Sequence, residues 1–233
     1  MTSLPDALPL SGYRDSLQRY SRKIAYSFES VAGKIIAERL PERFVRDPVR
    51  PRLVLWACAV NGGDIADALP VAAAFDLFER FMLLHDELTD ASAGTIARWG
   101  LGQSLNAGDA LYAVAFRSLA SDVISAPRRL EAARLAGEAV LEAIEGLPGP
   151  MQGRCALTGA ALQTGAVIGG ANEETACAFN RAGRALGTAA QAGDEAHAGD
   201  FAREAIAALA PHVSEDALET FTEIALSLAR RTA

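Results

Sequence analysis

Three features of the sequence predict an all-α helical bundle. Half of the residues are apolar but only 6% are aromatic, and alanine dominates the rest, which suits close-packed helices better than a β-sandwich. Apolar residues recur at helical spacing in one segment after another, with no period-two alternation of any length. Gly, Pro and Asn gather between those segments, where a helix has to stop. The 233 residues suffice for a substantial core, and no internal repeat divides them. The reading is one helical domain over 13–233, behind a loose arm over 1–12 rich in Pro, Ser and Gly.

The elements follow in order. Helical spacing runs from about Tyr13 to Leu40, and Pro41, Pro48 and Pro51 then make 41–51 a connection. A helix over about 52–60 ends at the turn Asn61-Gly62-Gly63-Asp64. The next, about 66–89, is apolar almost all round (Ala72, Phe75, Phe78, Phe81, Met82, Leu84), as a helix central to a bundle should be. Further helices are expected at about 97–123, 127–145, 151–170, 174–192 and 200–231.

Charge and cysteines exclude several function classes. With 22 basic against 29 acidic side chains the net charge is −7, which argues against nucleic acid as a partner. No apolar stretch reaches the ~20 residues of a membrane span, and the N-terminal residues show no secretory apolar core. Cys58, Cys155 and Cys177 have no metal-ligand spacing, and Cys58 lies in an apolar run as a small hydrophobe would. A reducing cytoplasm is the expected location.

The most informative segment is Phe81-Met-Leu-Leu-His-Asp-Glu-Leu-Thr-Asp90. Asp86 and Asp90 are four residues apart, so a helix stacks their carboxylates on one face, with Glu87 beside them. Acids at a helix C-terminus oppose the partial negative charge already there. A hard cation such as Mg²⁺ would relieve that, since carboxylate oxygens are its preferred ligands. A solvated surface explains such a pair equally simply. A second run, Leu186 to Glu195, closes on Asp194 and Glu195, with Asp200 following. Two helices presenting carboxylates across a bundle core is a known metal-site architecture.

These segments together resemble the trans-isoprenyl diphosphate synthase, or polyprenyl synthetase, family over about 43–229. His85-Asp-Glu-Leu-Thr-Asp90 is similar to its first aspartate-rich motif, with Glu87 in place of the second Asp. Arg50-Pro-Arg resembles its basic segment, Trp99 to Leu111 its Gly-Asp-x-Leu stretch, and Leu186 to Glu195 its run into the second aspartate-rich motif. The resemblance implies an isoprenoid-synthase-type bundle around a central apolar cavity, usually as a homodimer. It also implies Mg²⁺ held by Asp86, Glu87, Asp90, Asp194 and Glu195, with Asp86 and Asp90 central to catalysis. Arg50 would contact diphosphate. Gln191 would line the tunnel, whose depth Phe81 and Met82 would set at roughly C10–C20 if they are not simply core packing.

Departures from the family pattern bear on the acceptor, isopentenyl diphosphate (IPP). Asp47 stands where the family has an IPP-binding lysine, and Glu79 where it has an IPP-contacting histidine. The Arg-Arg-Gly element after the first motif is missing, and His197 and Ala198 follow the second acidic pair. The expectation is therefore Mg²⁺-dependent ionisation of an allylic prenyl diphosphate without a normal IPP site, leading to cyclisation or transfer to another acceptor. The alternatives are a catalytically silent subunit or prenyl-lipid binder partnering a prenyl synthase, and an ordinary short-chain prenyl diphosphate synthase.

Overall fold

The computed structural model describes residues 49–89, 100–145 and 150–230, without the side chains of 87–89 and 150–154. The N-terminal arm, the helix expected over 13–40, Asp47 and Asp90 lie outside those residues. All regular structure described is helical: α1 Val49–Val60, α2 Ile65–Thr89, α3 Leu101–Leu119 and α4 Ala126–Glu145, then α5 Pro150–Gly169, α6 Glu173–Ala189, α7 Glu195–Leu209 and α8 Glu215–Ala229.

Local chemistry accounts for the boundaries. Pro51 sits in the first turn of α1, where a missing N–H costs nothing, so the helix begins before it rather than after it. Gly62, with φ 83°, takes the left-handed turn that closes α1. Asn172 caps α6 by accepting from the Thr175 amide at 2.8 Å. The single helix expected over 200–231 is two helices. Pro211 lies in the turn between them, and Ser214 caps α8 by accepting from the Ala217 amide.

Helix α5 is the hub, packing against α1, α4 and α6 and also touching α2. Small residues let it do so. A Cβ at Gly165 would overlap the Val54 carbonyl of α1, and one at Gly183 of α6 would meet the Thr158 carbonyl of α5. Helix α2 lies against α1 on one side and α3 on another, and its Ala72, Ala73, Ala74, Phe75 and Phe78 are fully buried. Trp56 of α1 stacks on Phe221 of α8 with centroids 5.2 Å apart and tilts against Phe179 of α6 at 5.8 Å, joining three helices through one side chain. Cys58 is fully buried, and burial pushes its thiol up to about 11, so it behaves as the apolar filler its neighbours suggested.

Candidate active site

A cavity of about 160 Å³ opens where the first turn of α1, the second half of α2, α5, the C-terminal end of α6 and the end of α8 meet. Among the described residues, four polar side chains line it: Arg50, Glu79, Thr158 and Gln191, against a wall that includes Leu186 and Leu228. Arg50 is well buried. Its Nε donates to Thr158 Oγ1 at 3.1 Å, and Nη1 lies 2.9 Å from Glu79 Oε1. Glu79 Oε2 is buried and has no hydrogen-bond partner among the described residues. Arg50 and Glu79, singled out separately in the sequence, are thus partners of one another, across α1 and α2. Gln191 spends its amide N–H on the Gly187 carbonyl at 2.9 Å, which leaves the side chain at the cavity rim.

Glu79 is seven residues before Asp86, so the two share a face of α2 about 10 Å apart along the axis. The cavity and the acidic end of α2 therefore lie along one side of that helix. Asp86 is half-buried; the side chains of Glu87 and Asp90 lie outside the described residues. His85, on the neighbouring face, places Nδ1 3.1 Å from the Phe81 carbonyl and its ring 4.4 Å from the Phe81 ring. Gly108 of α3 makes this possible, because a Cβ there would overlap the imidazole. That gives the Gly-Asp dipeptide of the sequence a packing role, with Asp109 left exposed.

The second acidic run is arranged differently from the expectation. Helix α6 stops at Ala189, and Asp194 and Glu195 open α7 instead of closing α6. At a helix N-terminus carboxylates are favoured, so the electrostatic argument for a cation reverses there. Asp194 is the N-cap, accepting from the His197 amide at 2.9 Å and lying 2.6 Å from His197 Nδ1. The amide and ring of His197 hold the Asp194 carboxyl below its usual range, and Asp194 in turn raises the imidazole. Both acids are exposed. Among the described residues no three His, Cys, Asp or Glu side chains gather as a metal site.

Phe81 and Met82 are buried, and neither lines the cavity. Phe81 belongs to an aromatic group with Tyr112, 5.5 Å away, which also joins Phe78 and Phe116. Two features escaped the sequence reading. Asp76 is buried inside α2 and accepts from Arg80 Nε at 2.9 Å, a pair whose i, i+4 spacing in an apolar helix was the available signal. Thr158 had none, since only folding brings it to Arg50. No helix among the described residues is long and apolar enough to cross a membrane.

Comparison with known proteins places this architecture. No family model matches the chain. It is 34% identical over 169 residues to geranylgeranyl diphosphate synthase of Mycobacterium tuberculosis, covering 63% of this chain and 48% of that one. It is 28% identical over 176 residues to the small subunit of the chloroplastic heterodimeric geranylgeranyl pyrophosphate synthase of Arabidopsis thaliana, covering 62% and 52%. The chain spans about half the length of these relatives. In fold it is similar to geranylgeranyl pyrophosphate synthetase from Pyrococcus horikoshii, with a TM-score of 0.82 at 18% identity, over 94% of this chain and 98% of that one.

Proposed function

We propose a function from the premise that this chain belongs to the trans-isoprenyl diphosphate synthase family, which its relatives support and with which its fold agrees. It acts on an allylic prenyl diphosphate, and the reading its relatives support best is ordinary synthesis of a prenyl diphosphate by addition of IPP. The observation that carries this is the 34% identity over 169 residues to a geranylgeranyl diphosphate synthase. The carboxylates at the end of α2 have the chemistry a hard divalent cation requires, and Asp86, Glu87 and Asp90 are the residues to hold Mg²⁺. A Mg²⁺ held there would supply charge neutralisation for a departing diphosphate. Helix α2 supplies a rigid, packed base for Asp86. The apolar residues around it exclude water from the reacting hydrocarbon. Asp194 and Glu195 are a second candidate pair, although Asp194 is engaged by the amide and ring of His197.

A second reading differs only at the acceptor. The Arg50–Glu79 pair favours it, because the arginine expected to bind diphosphate is already matched by a carboxylate. Ionisation then proceeds without IPP, by cyclisation or transfer to another acceptor. The partner in either case is a second copy of this chain or a prenyl synthase subunit, as the name of the heterodimeric relative suggests. A cytoplasmic site of action goes with this proposal.

The test is incubation with geranyl, farnesyl and geranylgeranyl diphosphate plus Mg²⁺, with and without IPP, following pyrophosphate and extractable products. Elongated products only with IPP support the first reading. Pyrophosphate release without IPP, lost in Asp86→Asn, supports the second. No turnover alongside saturable prenyl-diphosphate binding rejects both in favour of a silent subunit.

A further inference from the structure

We infer that the cavity beside Arg50 and Glu79 binds a small molecule that donates a hydrogen bond and carries no negative charge: an amine or an alcohol on a short hydrocarbon body. The inference rests on the second reading above and names the chemical class of its acceptor.

The argument begins with Glu79. Its Oε1 is matched by Arg50 at 2.9 Å, but its Oε2 is buried and has no donor among the described residues. A buried carboxylate oxygen left unpaired is costly, and a ligand N–H or O–H placed there removes the cost. Among the described residues the charged side chains lining the cavity are Arg50 and Glu79, whose charges cancel, so between them they offer a diphosphate no net attraction in the cavity. It brings the phosphate oxygens against a carboxylate instead. Arg50 is further held by Thr158, which fixes the guanidinium as part of the wall. Leu186 and Leu228 supply apolar surface, and at about 160 Å³ the space suits a few-carbon body. The unpaired Oε2 and the apolar wall select for a donor head on a hydrocarbon, and the Glu79 carboxylate disfavours an anion.

The location matters as much as the chemistry. Glu79 lies on the same face of α2 as Asp86, about 10 Å away along the helix. A molecule held at Glu79 is therefore on the side of the helix where the acidic cluster ends.

The probes share one carbon skeleton: 3-methylbutylamine, 3-methylbutan-1-ol and isopentenyl diphosphate, titrated into the full chain by calorimetry and ligand-observed NMR. The wild type is expected to bind the amine or the alcohol about tenfold more tightly than the diphosphate, the factor one charged hydrogen bond supplies. Glu79→His, which returns a donor to that position, should invert the order. In Glu79→Gln, amine binding falls about tenfold while alcohol binding, served by the amide oxygen, stays near its original value if the alcohol is the ligand. Tighter diphosphate binding by the wild type, or no binding of either neutral or cationic probe at millimolar concentration, overturns the proposal. The wild-type comparison needs no variant to fold. Pyrophosphate release without IPP, measured separately, stands or falls independently. If it persists while both probes fail to bind, the acceptor class is wrong and the second reading survives.

Discussion

The contact between Gly108 and His85 shows how far one residue can govern the acidic end of α2. Because a Cβ at 108 would overlap the imidazole, Gly108→Ala should destabilise the chain by about 1–3 kcal/mol, measured by urea unfolding. His85→Ala in the same background should recover part of that loss, since it removes the obstructing ring. Additive losses in the double variant would contradict a direct contact. The Arg50–Glu79 pair is the second case at this scale. The residues were legible individually, Arg50 as a cation for diphosphate and Glu79 as a carboxylate where the resembled family has a histidine. Their pairing was not, because a sequence carries no record that positions 29 apart on two helices face one cavity. Glu79→Leu leaves Arg50 buried without its carboxylate, and a loss of about 1–2 kcal/mol is expected, less than for a fully buried pair because Glu79 is one-third exposed.

Among elements, the seams of α5 are what hold the arrangement together. Gly165 against α1 and Gly183 on the facing surface of α6 permit backbone approach that no side chain allows. Gly165→Val should therefore cost more than 3 kcal/mol or abolish folding, read by circular dichroism and thermal melting. A polar tie joins α4 to α6: Arg184 engages both oxygens of Glu142, with Nη1 to Oε1 at 2.7 Å, and also contacts Asn180, which donates to Gln163. The hydrogen bonds from Arg184 hold the Glu142 carboxyl below its usual value. The folded state thus binds the Glu142 proton less readily than the unfolded chain does. The resulting stability is present above the ordinary carboxylate pKa and is lost as pH falls through the lowered one. Both groups are over two-fifths exposed, so the effect is about 0.5 kcal/mol, and Glu142→Gln should flatten the acid limb of a stability–pH curve by that amount. Among the described residues helix identity was readable from periodicity, apart from the break at Pro211 that makes two helices of the one expected over 200–231. Ends were less so: Pro51 was taken to precede a helix it sits inside, and Asp194 to close a helix when it caps the next. A carboxylate near a helix end favours opposite conclusions at the two termini, and the sequence alone left the helix boundary ambiguous.

For the whole molecule, the fold class was legible because composition, periodicity and breakers all agreed on a helical bundle, although α5 rather than the more apolar α2 is its hub. The acidic segment at the end of that helix was legible as chemistry, since carboxylates at a C-terminus are unfavourable without a cation. The cavity was not, being assembled from five helices whose lining residues are scattered from Val49 to Leu228. The central claim is that Asp86 serves the departure of diphosphate from an allylic prenyl substrate. The most direct measurement is pyrophosphate release from farnesyl diphosphate, with Mg²⁺ and with EDTA, by the wild type and by Asp86→Asn. Metal-dependent release that falls by about 10²-fold or more in Asp86→Asn is the predicted result, the size of effect seen when one preorganised electrostatic group is removed. Release by Asp86→Asn equal to that of the wild type, or none from a wild type that binds farnesyl diphosphate saturably, would contradict it.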